Sequence, residues 1–425
     1  MENKQHQLED LVRHARKGDA KARTQVALKH LSGRELPYAP EVAAKLLLAA
    51  ALEDYAPAAA RLACLAFCGI GVMQNRKEAK KWLLRAARAG EPLALRNLGF
   101  IYTHLATRKY PEWLVRSSAC FRAAAIEGDR ISQHLLGVRY MVGTGLERNA
   151  SLGAYWLSRA ADQGLSRSRL RLVKLKGVAS RQPSSVQGQN QHLERDSLVE
   201  FEWPDTASTP ASEGPASEGP ASEGPAPEEL QASPHLVQFD ALLSEEECEF
   251  LINLVEPLMQ RSGTLNPDTG RIEHHPMRSS SERHLDHSLK DIAIHLIEQR
   301  WAAVAGLPVA NGEPIMLLRY QPGEEYKPHY DWLTRRQIDA HPLSRAGGQR
   351  CTTVLSYLSD VEEGGGTAFP RLNLRVEAKQ GRGLVIANCT PDGVPDKRTL
   401  HAGLPVVRGE KWLATLWFRE HALQM

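Results

Sequence analysis

"YKPHYDWL", residues 326 to 333, sets a histidine and an aspartate two positions apart in a stretch that reads as extended. Side chains two apart on a strand point the same way, so His329 and Asp331 can offer an imidazole and a carboxylate to one point while Tyr330 faces away. Such a pair recurs by chance and decides little alone. If it grips a metal, a third ligand must lie elsewhere, and its position should say which chemistry the metal does.

Seventy residues after Asp331, "TLHAGLPVVRGEKWLATLWF" (399–418) places His401 at a strand end and Lys411 just past an Arg408-Gly409 turn. Two histidines and a carboxylate on one side of a metal leave coordination positions open, the arrangement non-haem Fe(II) oxygenases use to hold a co-substrate and O₂ together. A bidentate 2-oxo acid would fill two of those positions, and its distal carboxylate calls for a buried cation. Lys411 can supply one: a hairpin turning at 408–410 should bring the next strand alongside His401, with Lys411, Leu413, Thr415 and Trp417 sharing a face. A lysine in a strand of Trp, Leu and Phe is costly to bury without a charge partner. A solvated strand-end lysine is the plainer alternative.

Around these motifs run short alternating strands, "PIMLLRY", "TTVLSYLSD", "GLVIAN" and "WLATLWF", separated by Gly, Pro and Asp clusters. Residues 243–305 before them read as helices, with Ser244 a candidate N-cap for "SEEECEFLINLVEPLM". This is the texture of an antiparallel β domain with supporting helices.

Further toward the N-terminus, "ASEGPASEGPASEGP" (211–225) repeats a five-residue unit without one large apolar side chain. It cannot bury enough surface to offset its ordering entropy, so 181–233 is expected to be a disordered acidic linker between two domains. In front of it the chain repeats itself. "WLLRAARAGEPLALRNLG" (82–99), "CFRAAAIEGDRISQHLLG" (120–137) and "WLSRAADQGLSRSRLRLV" (156–173) superpose, with "LLLAAALEDYAPAAARLA" (46–63) a weaker copy. Aligning Asp54, Gly90, Gly128 and Gly164 gives periods of 36, 38 and 36, the spacing of helix-turn-helix solenoids. Apolar residues recur at helical spacing, a helix should end at each aligned position, and "GIGV" (69–72) and "GTGL" (143–146) should supply the turns between helices.

Charge follows the same three parts. Lys and Arg outnumber Asp and Glu 30 to 15 over 1–180, are outnumbered 11 to 2 over 181–240, and nearly balance beyond, for a net charge of +3. The basic residues lie along amphipathic helices without interleaved surface aromatics, which reads as solvated helix faces and argues against nucleic acid as a partner. The six cysteines show no C-x-x-C pair and read as small buried hydrophobes of a reducing compartment. A polar start and the absence of any run of eighteen apolar residues predict a cytoplasmic chain without a membrane partner.

Two resemblances follow from these residues. The A-A-x-x-G and G-x-G-[VL] pattern over 40–180 resembles Sel1-like repeats, relatives of the tetratricopeptide solenoid, which implies a protein-binding scaffold. "RYQPGEEYKPHYDWL", "TTVLSYLSDVEEGGGTAFP" and "DGVPDKRTLHAGLPVVRGEKWLATLWF" together look like the 2-oxoglutarate- and Fe(II)-dependent prolyl 4-hydroxylases over 235–422. This resemblance implies a double-stranded β-helix (jelly-roll) with His329, Asp331 and His401 as iron ligands. It also implies Lys411 on the distal carboxylate of 2-oxoglutarate, helped by Tyr320, Tyr357 and Thr415, with Trp417 and Arg278 near substrate, O₂ as co-substrate and ascorbate as reductant. Leu333, Gly366 and Leu404 depart from the family pattern without removing a ligand.

The expected architecture is multidomain: an all-α Sel1-like solenoid (1–180), the linker, and an α+β jelly-roll dioxygenase domain (234–425). The expected activity is prolyl 4-hydroxylation of a proline-containing protein or peptide captured with help from the repeats. The same chemistry on a free amino acid, small molecule or nucleic acid base, and a non-catalytic repeat-based adaptor, are the competing readings.

Overall fold

The computed structural model describes residues 2–106, 110–175, 227–265, 272–273, 277–340 and 342–423. The chain divides into two compact units, one of residues 1–210 with 286–296 and one of 211–285 with 297–425. Most of the predicted linker lies outside the described residues.

The first unit is helical, with ten helices among the described residues from Glu2–Arg16 to Ser166–Lys174, each packed on the next. The aligned positions of the repeat end helices as predicted. Asp54, Gly90, Gly128 and Gly164 all take positive φ, from 61° to 93°, which reverses the chain between paired helices. The G-x-G turns do a second job: a Cβ on Gly71 would run into the carbonyl oxygen of Pro40, and one on Gly145 into that of Leu114. Backbone therefore passes directly over backbone at these two turns. Asn75 and Asn149 follow each turn and cap the next helix by accepting from Glu78 N (3.1 Å) and Leu152 N (3.0 Å). The unit's core is rich in alanine, including Ala43, Ala44, Ala50, Ala59, Ala63, Ala86 and Ala87, which lets helices approach closely. The 286–296 segment is held in the same unit. Buried Arg96 pairs with Asp129 and, at 3.6 Å, with Asp291, and the Asn97 side-chain oxygen accepts from Ala293 N at 3.2 Å. Two carboxylates offset the cost of burying that guanidinium.

The second unit is built on antiparallel strands. In chain order these are β1 (Glu228–Gln231), β2 (Leu236–Phe239), β3 (Gln260–Arg261), β4 (Thr264–Leu265), β5 (Ile272–Glu273), β6 (Ser281–His284), β7 (Met316–Tyr320), β8 (Tyr326–His329), β9 (Arg350–Tyr357) and β10 (Glu363–Gly364). They continue with β11 (Thr367–Phe369), β12 (Leu374–Val376), β13 (Gly383–Ala387), β14 (His401–Gly403), β15 (Val406–Arg408) and β16 (Lys411–Arg419). Eight form one sheet in the order β1-β2-β13-β9-β16-β7-β6-β3, and four form a second in the order β12-β11-β14-β8. One hydrophobic core joins Leu318, Leu355, Leu384 and Leu413 of the larger sheet to Phe369 and Val376 of the smaller, the sandwich of a jelly roll. Ser244 caps the helix Glu245–Val255 in a reciprocal capping box with Glu247, as predicted, and Ile292–Ala305 is a second helix within the stretch expected to be helical.

Three expectations need correction. Residues 228–231, assigned to the disordered linker, form edge strand β1, because Leu230 packs on the sheet core and the backbone pairs with β2. The region between the two helices is not helical but carries β3 to β6. The turn at 408–410 does not lay β16 beside His401: β15 pairs with β10 while β16 inserts between β9 and β7 in the larger sheet. Lys411 therefore approaches from the sheet opposite the histidines.

Candidate active site

Within the β unit, His329 and His401 are direct cross-strand partners, the last residue of β8 opposite the first of β14. Asp331 lies just past the end of β8, in a bend rather than on the strand. His329 Nε2 stands 3.7 Å from Asp331 Oδ1 and His401 Nε2 3.6 Å from Asp331 Oδ2. One ligand atom from each of the three lies within 4.8 Å of the others, a metal-sized cluster. Both rings are aimed by the same device: His329 Nδ1 bonds the Lys327 carbonyl (2.9 Å) and His401 Nδ1 the Thr399 carbonyl (3.0 Å), which leaves Nε2 free to coordinate. Asp331 Oδ2 accepts from the Thr353 hydroxyl at 2.8 Å, and Thr353 Oγ1 in turn accepts from Asn388 Nδ2 at 2.9 Å.

The electrostatics match a site waiting for a cation. Burial would raise the Asp331 carboxyl, but the neighbouring His401 and the Thr353 hydroxyl outweigh it and hold the group below the usual carboxylate range. Burial, then the neighbouring His401, pushes His329 down to about 3, so the imidazole is neutral and available as a ligand. A 2-His-1-carboxylate set with its second contacts already made fits Fe(II) with open positions.

The pocket above the cluster is lined by Met316, Leu318, Tyr320, Tyr326, Thr353, Leu355, Thr367, Gly403, Lys411, Leu413, Thr415 and Trp417. Lys411 is 1% exposed, and burial alone pushes its ammonium down to about 7. Its Nζ sits over the rings of Tyr320 (5.1 Å) and Tyr357 (5.5 Å), and no acidic partner reaches it among the described residues. A cation isolated in this way is built to receive an anion that the chain does not provide. Lys411, Leu413, Thr415 and Trp417 share the pocket face, as period two predicts.

Tyr320 lines the pocket, with Ser280 and Arg278 beside its hydroxyl. Tyr357 does not line it: its hydroxyl is 2.6 Å from Thr367 Oγ1, which places the tyrosine behind the wall. Arg278 does not line it either. The guanidinium is held by Glu282 (3.1 Å), lies 5.2 Å from the Tyr326 ring, and its backbone bridges to Tyr326. Trp417 is stacked by Arg350 at 3.9 Å, and Arg350 is itself clamped to Glu313 by two bonds of 2.7 and 2.8 Å.

Two contributors escaped the sequence reading. Tyr326 stacks on His329 with ring centres 3.5 Å apart, and Thr353 holds Asp331. Thr353 was within reach, since stepping back by twos from Tyr357 along β9 gives Leu355 and then Thr353.

Residues 315–419 match the 2OG-Fe(II) oxygenase superfamily, and residues 56–91 and 130–165 match the Sel1 repeat. Among curated proteins, probable prolyl 4-hydroxylase 3 of Arabidopsis thaliana is 36% identical over 209 residues, which is 45% of this chain and 71% of that protein. Prolyl 4-hydroxylase 1 of the same plant is 36% identical over 210 residues, 46% of this chain and 72% of that protein. Among solved structures, the viral collagen prolyl hydroxylase of Paramecium Bursaria Chlorella virus-1 is 29% identical over 43% of this chain and 95% of that chain, with a TM-score of 0.35. The chain belongs to the prolyl 4-hydroxylase family of Fe(II)- and 2-oxoglutarate-dependent dioxygenases, with Sel1 repeats N-terminal to the catalytic unit.

Proposed function

We propose that the protein hydroxylates C4 of prolyl residues in a protein or peptide, with the helical repeats recruiting that protein. The observation that supports this reading most is the pairing of the His329-Asp331-His401 cluster with the isolated Lys411 across one pocket, in a chain 36% identical over 209 residues to a probable prolyl 4-hydroxylase.

His329, Asp331 and His401 would hold Fe(II), and Lys411 the distal carboxylate of 2-oxoglutarate, with Thr415 and Tyr320 beside it. The chemistry supplied when iron is bound is oxidative decarboxylation of 2-oxoglutarate with O₂ to succinate and CO₂, coupled to hydroxylation of a C–H bond. The chain's own part is positional. Thr353 and Asn388 fix Asp331, the Lys327 and Thr399 carbonyls fix the histidine rings, and Leu318, Leu355 and Leu413 keep water from the pocket wall. Trp417, braced by Arg350, would present a flat apolar face to the substrate ring. Ascorbate as reductant and a cytoplasmic location, the latter supported by six cysteines that form no disulfide, belong to the same proposal.

The test is succinate release by the full chain with Fe(II), ascorbate and 2-oxoglutarate, with and without proline-rich peptides or host protein, beside His329→Ala. Release that rises with peptide, disappears in the variant and accompanies an oxygen-atom gain on proline is the expected result. Release stimulated only by free amino acids or by nucleic acid would move the substrate elsewhere, and background release in metal-loaded enzyme under every condition would leave the repeats as the functional half.

A further inference from the structure

Cys351 lies on β9 and Cys389 two residues past the end of neighbouring β13, where the sequence predicts only small packing residues. β13 runs antiparallel to β9 with Ala387 opposite Thr352, and the ladder continues one step past the end of β13, where Asn388 N donates to the Cys351 carbonyl at 2.8 Å. On the other side of β9 the register against β16 shifts: Phe418 faces Thr352 and Arg419 faces Arg350, so Cys351 is the extra residue of a β-bulge. A bulge re-aims the side chain it carries. Here the re-aimed Cys351 thiol lies beside that of Cys389. Each sulfur also contacts a carbonyl, Cys351 Sγ at 3.7 Å from Gln349 O and Cys389 Sγ at 3.9 Å from Arg350 O. Both thiols are partly exposed, as is Cys68, whereas Cys64, Cys120 and Cys248 are buried. The neighbouring Cys389 thiol lowers the Cys351 thiol from its usual range, which favours the nucleophilic thiolate.

The same two strands lead to the metal cluster. Thr353 is two residues beyond Cys351 and Asn388 is next to Cys389, and these two buried side chains form the hydrogen-bonded line that ends on Asp331. A covalent link between the sulfurs would therefore act on both strands that hold a metal ligand in place.

We propose that Cys351 and Cys389 are a redox-active dithiol that a peroxide closes to a disulfide, and that closure weakens the hold on metal through Thr353, Asn388 and Asp331. The Cys351 thiolate attacks one peroxide oxygen, the O–O bond breaks, and the departing oxygen leaves as water, giving a sulfenic acid. The Cys389 sulfur then attacks that sulfur, an S–S bond forms, and the sulfenic oxygen leaves as a second water with the Cys389 proton. Two thiols and one peroxide become one disulfide and two waters, and a thiol reductant reverses the change. The inference needs the metal cluster but not the identity of the substrate.

The full chain is titrated with hydrogen peroxide, digested without reductant and mapped by mass spectrometry, and Mn(II) affinity is measured anaerobically before oxidation, after it, and after dithiothreitol. The expected result is a Cys351–Cys389 linked peptide at doses that leave Cys64, Cys120 and Cys248 as thiols, with Mn(II) binding about tenfold weaker and restored by reduction. Cys389→Ser should show neither the link nor the change in affinity, and Cys351→Ser should agree. Sulfinic acid on Cys351 without a link would overturn the proposal, as would a linked protein that binds Mn(II) like the reduced one. Because Mn(II) binding is read without turnover, failure here is distinct from failure of the prolyl reading.

Discussion

The helical unit and the β unit use chain distance in opposite ways. Along the repeats, the turns are set locally: Gly90, Gly128 and Gly164 turn the chain between adjacent helices, and Gly71 passes over Pro40 of the preceding repeat. In the β unit, His401 meets His329 across a strand pair, and Lys411 arrives from the other sheet. Structure in the first unit is therefore a sum of neighbouring terms, and function in the second hangs on a few side chains that the fold holds but does not need. A substitution should damage folding in one and chemistry in the other.

Asp331→Ala is the largest expected break on the chemical side. Removing the shared carboxylate should weaken Mn(II) or Fe(II) binding by more than about 100-fold, beyond the usual penalty for losing a supporting contact, while far-UV circular dichroism stays unchanged. Loss of helical or sheet signal would show that the cluster is structural after all. The counterpart among the repeats is Gly145→Val, which meets the Leu114 carbonyl oxygen at a φ of 63° and should cost about 3 kcal/mol or more in urea unfolding. Gly128→Ala supplies the contrast, since an added Cβ there meets nothing within 4 Å and only the left-handed conformation is penalised, by about 1 kcal/mol. Equal losses from the two glycines would contradict the local-crossing account. Thr353→Val sharpens the comparison further: it keeps the shape of β9 but removes the bond to Asp331, and should weaken metal binding about tenfold with little change in the unfolding midpoint.

The same contrast explains what could be read in the chain beforehand. The repeats were legible because helix period, turn glycines and spacing all lie within one window of sequence, and the metal ligands because their residue types are rare in combination. The route by which Lys411 reaches the pocket was not. A hairpin from β15 into β16 is the simplest continuation of the sequence, but pairing of β15 with β10 and of β16 with β9 depends on segments about fifty residues earlier. Tyr326 and Thr353 were missed for a related reason, since their roles appear only once β8 meets β14 and β9 passes behind Asp331. β1 was hidden by its polar neighbours, because an edge strand of Glu, Glu, Leu and Gln carries one apolar residue and owes its order to β2.

Lys411 offers the smallest effect and the most direct test of an isolated charge. Its pKa falls from 10.5 to about 7 on folding because burial removes water and no carboxylate among the described residues replaces it. Between those two values the unfolded chain holds more protons than the folded one, so the ligand-free protein should gain stability as pH rises through that window, and Lys411→Met should flatten the dependence. Binding of 2-oxoglutarate reverses the preference, because a carboxylate beside the amine favours the ammonium. At pH 8 the metal-loaded protein should take up close to one proton per 2-oxoglutarate bound, seen by calorimetry in buffers of different ionisation enthalpy, and affinity should weaken as pH rises above 7. No uptake would mean that Lys411 already carries its proton in the free site. The pocket would then be wetter than its burial indicates, and the lysine would belong with the solvated charges of the helical unit rather than with the chemistry of the β unit.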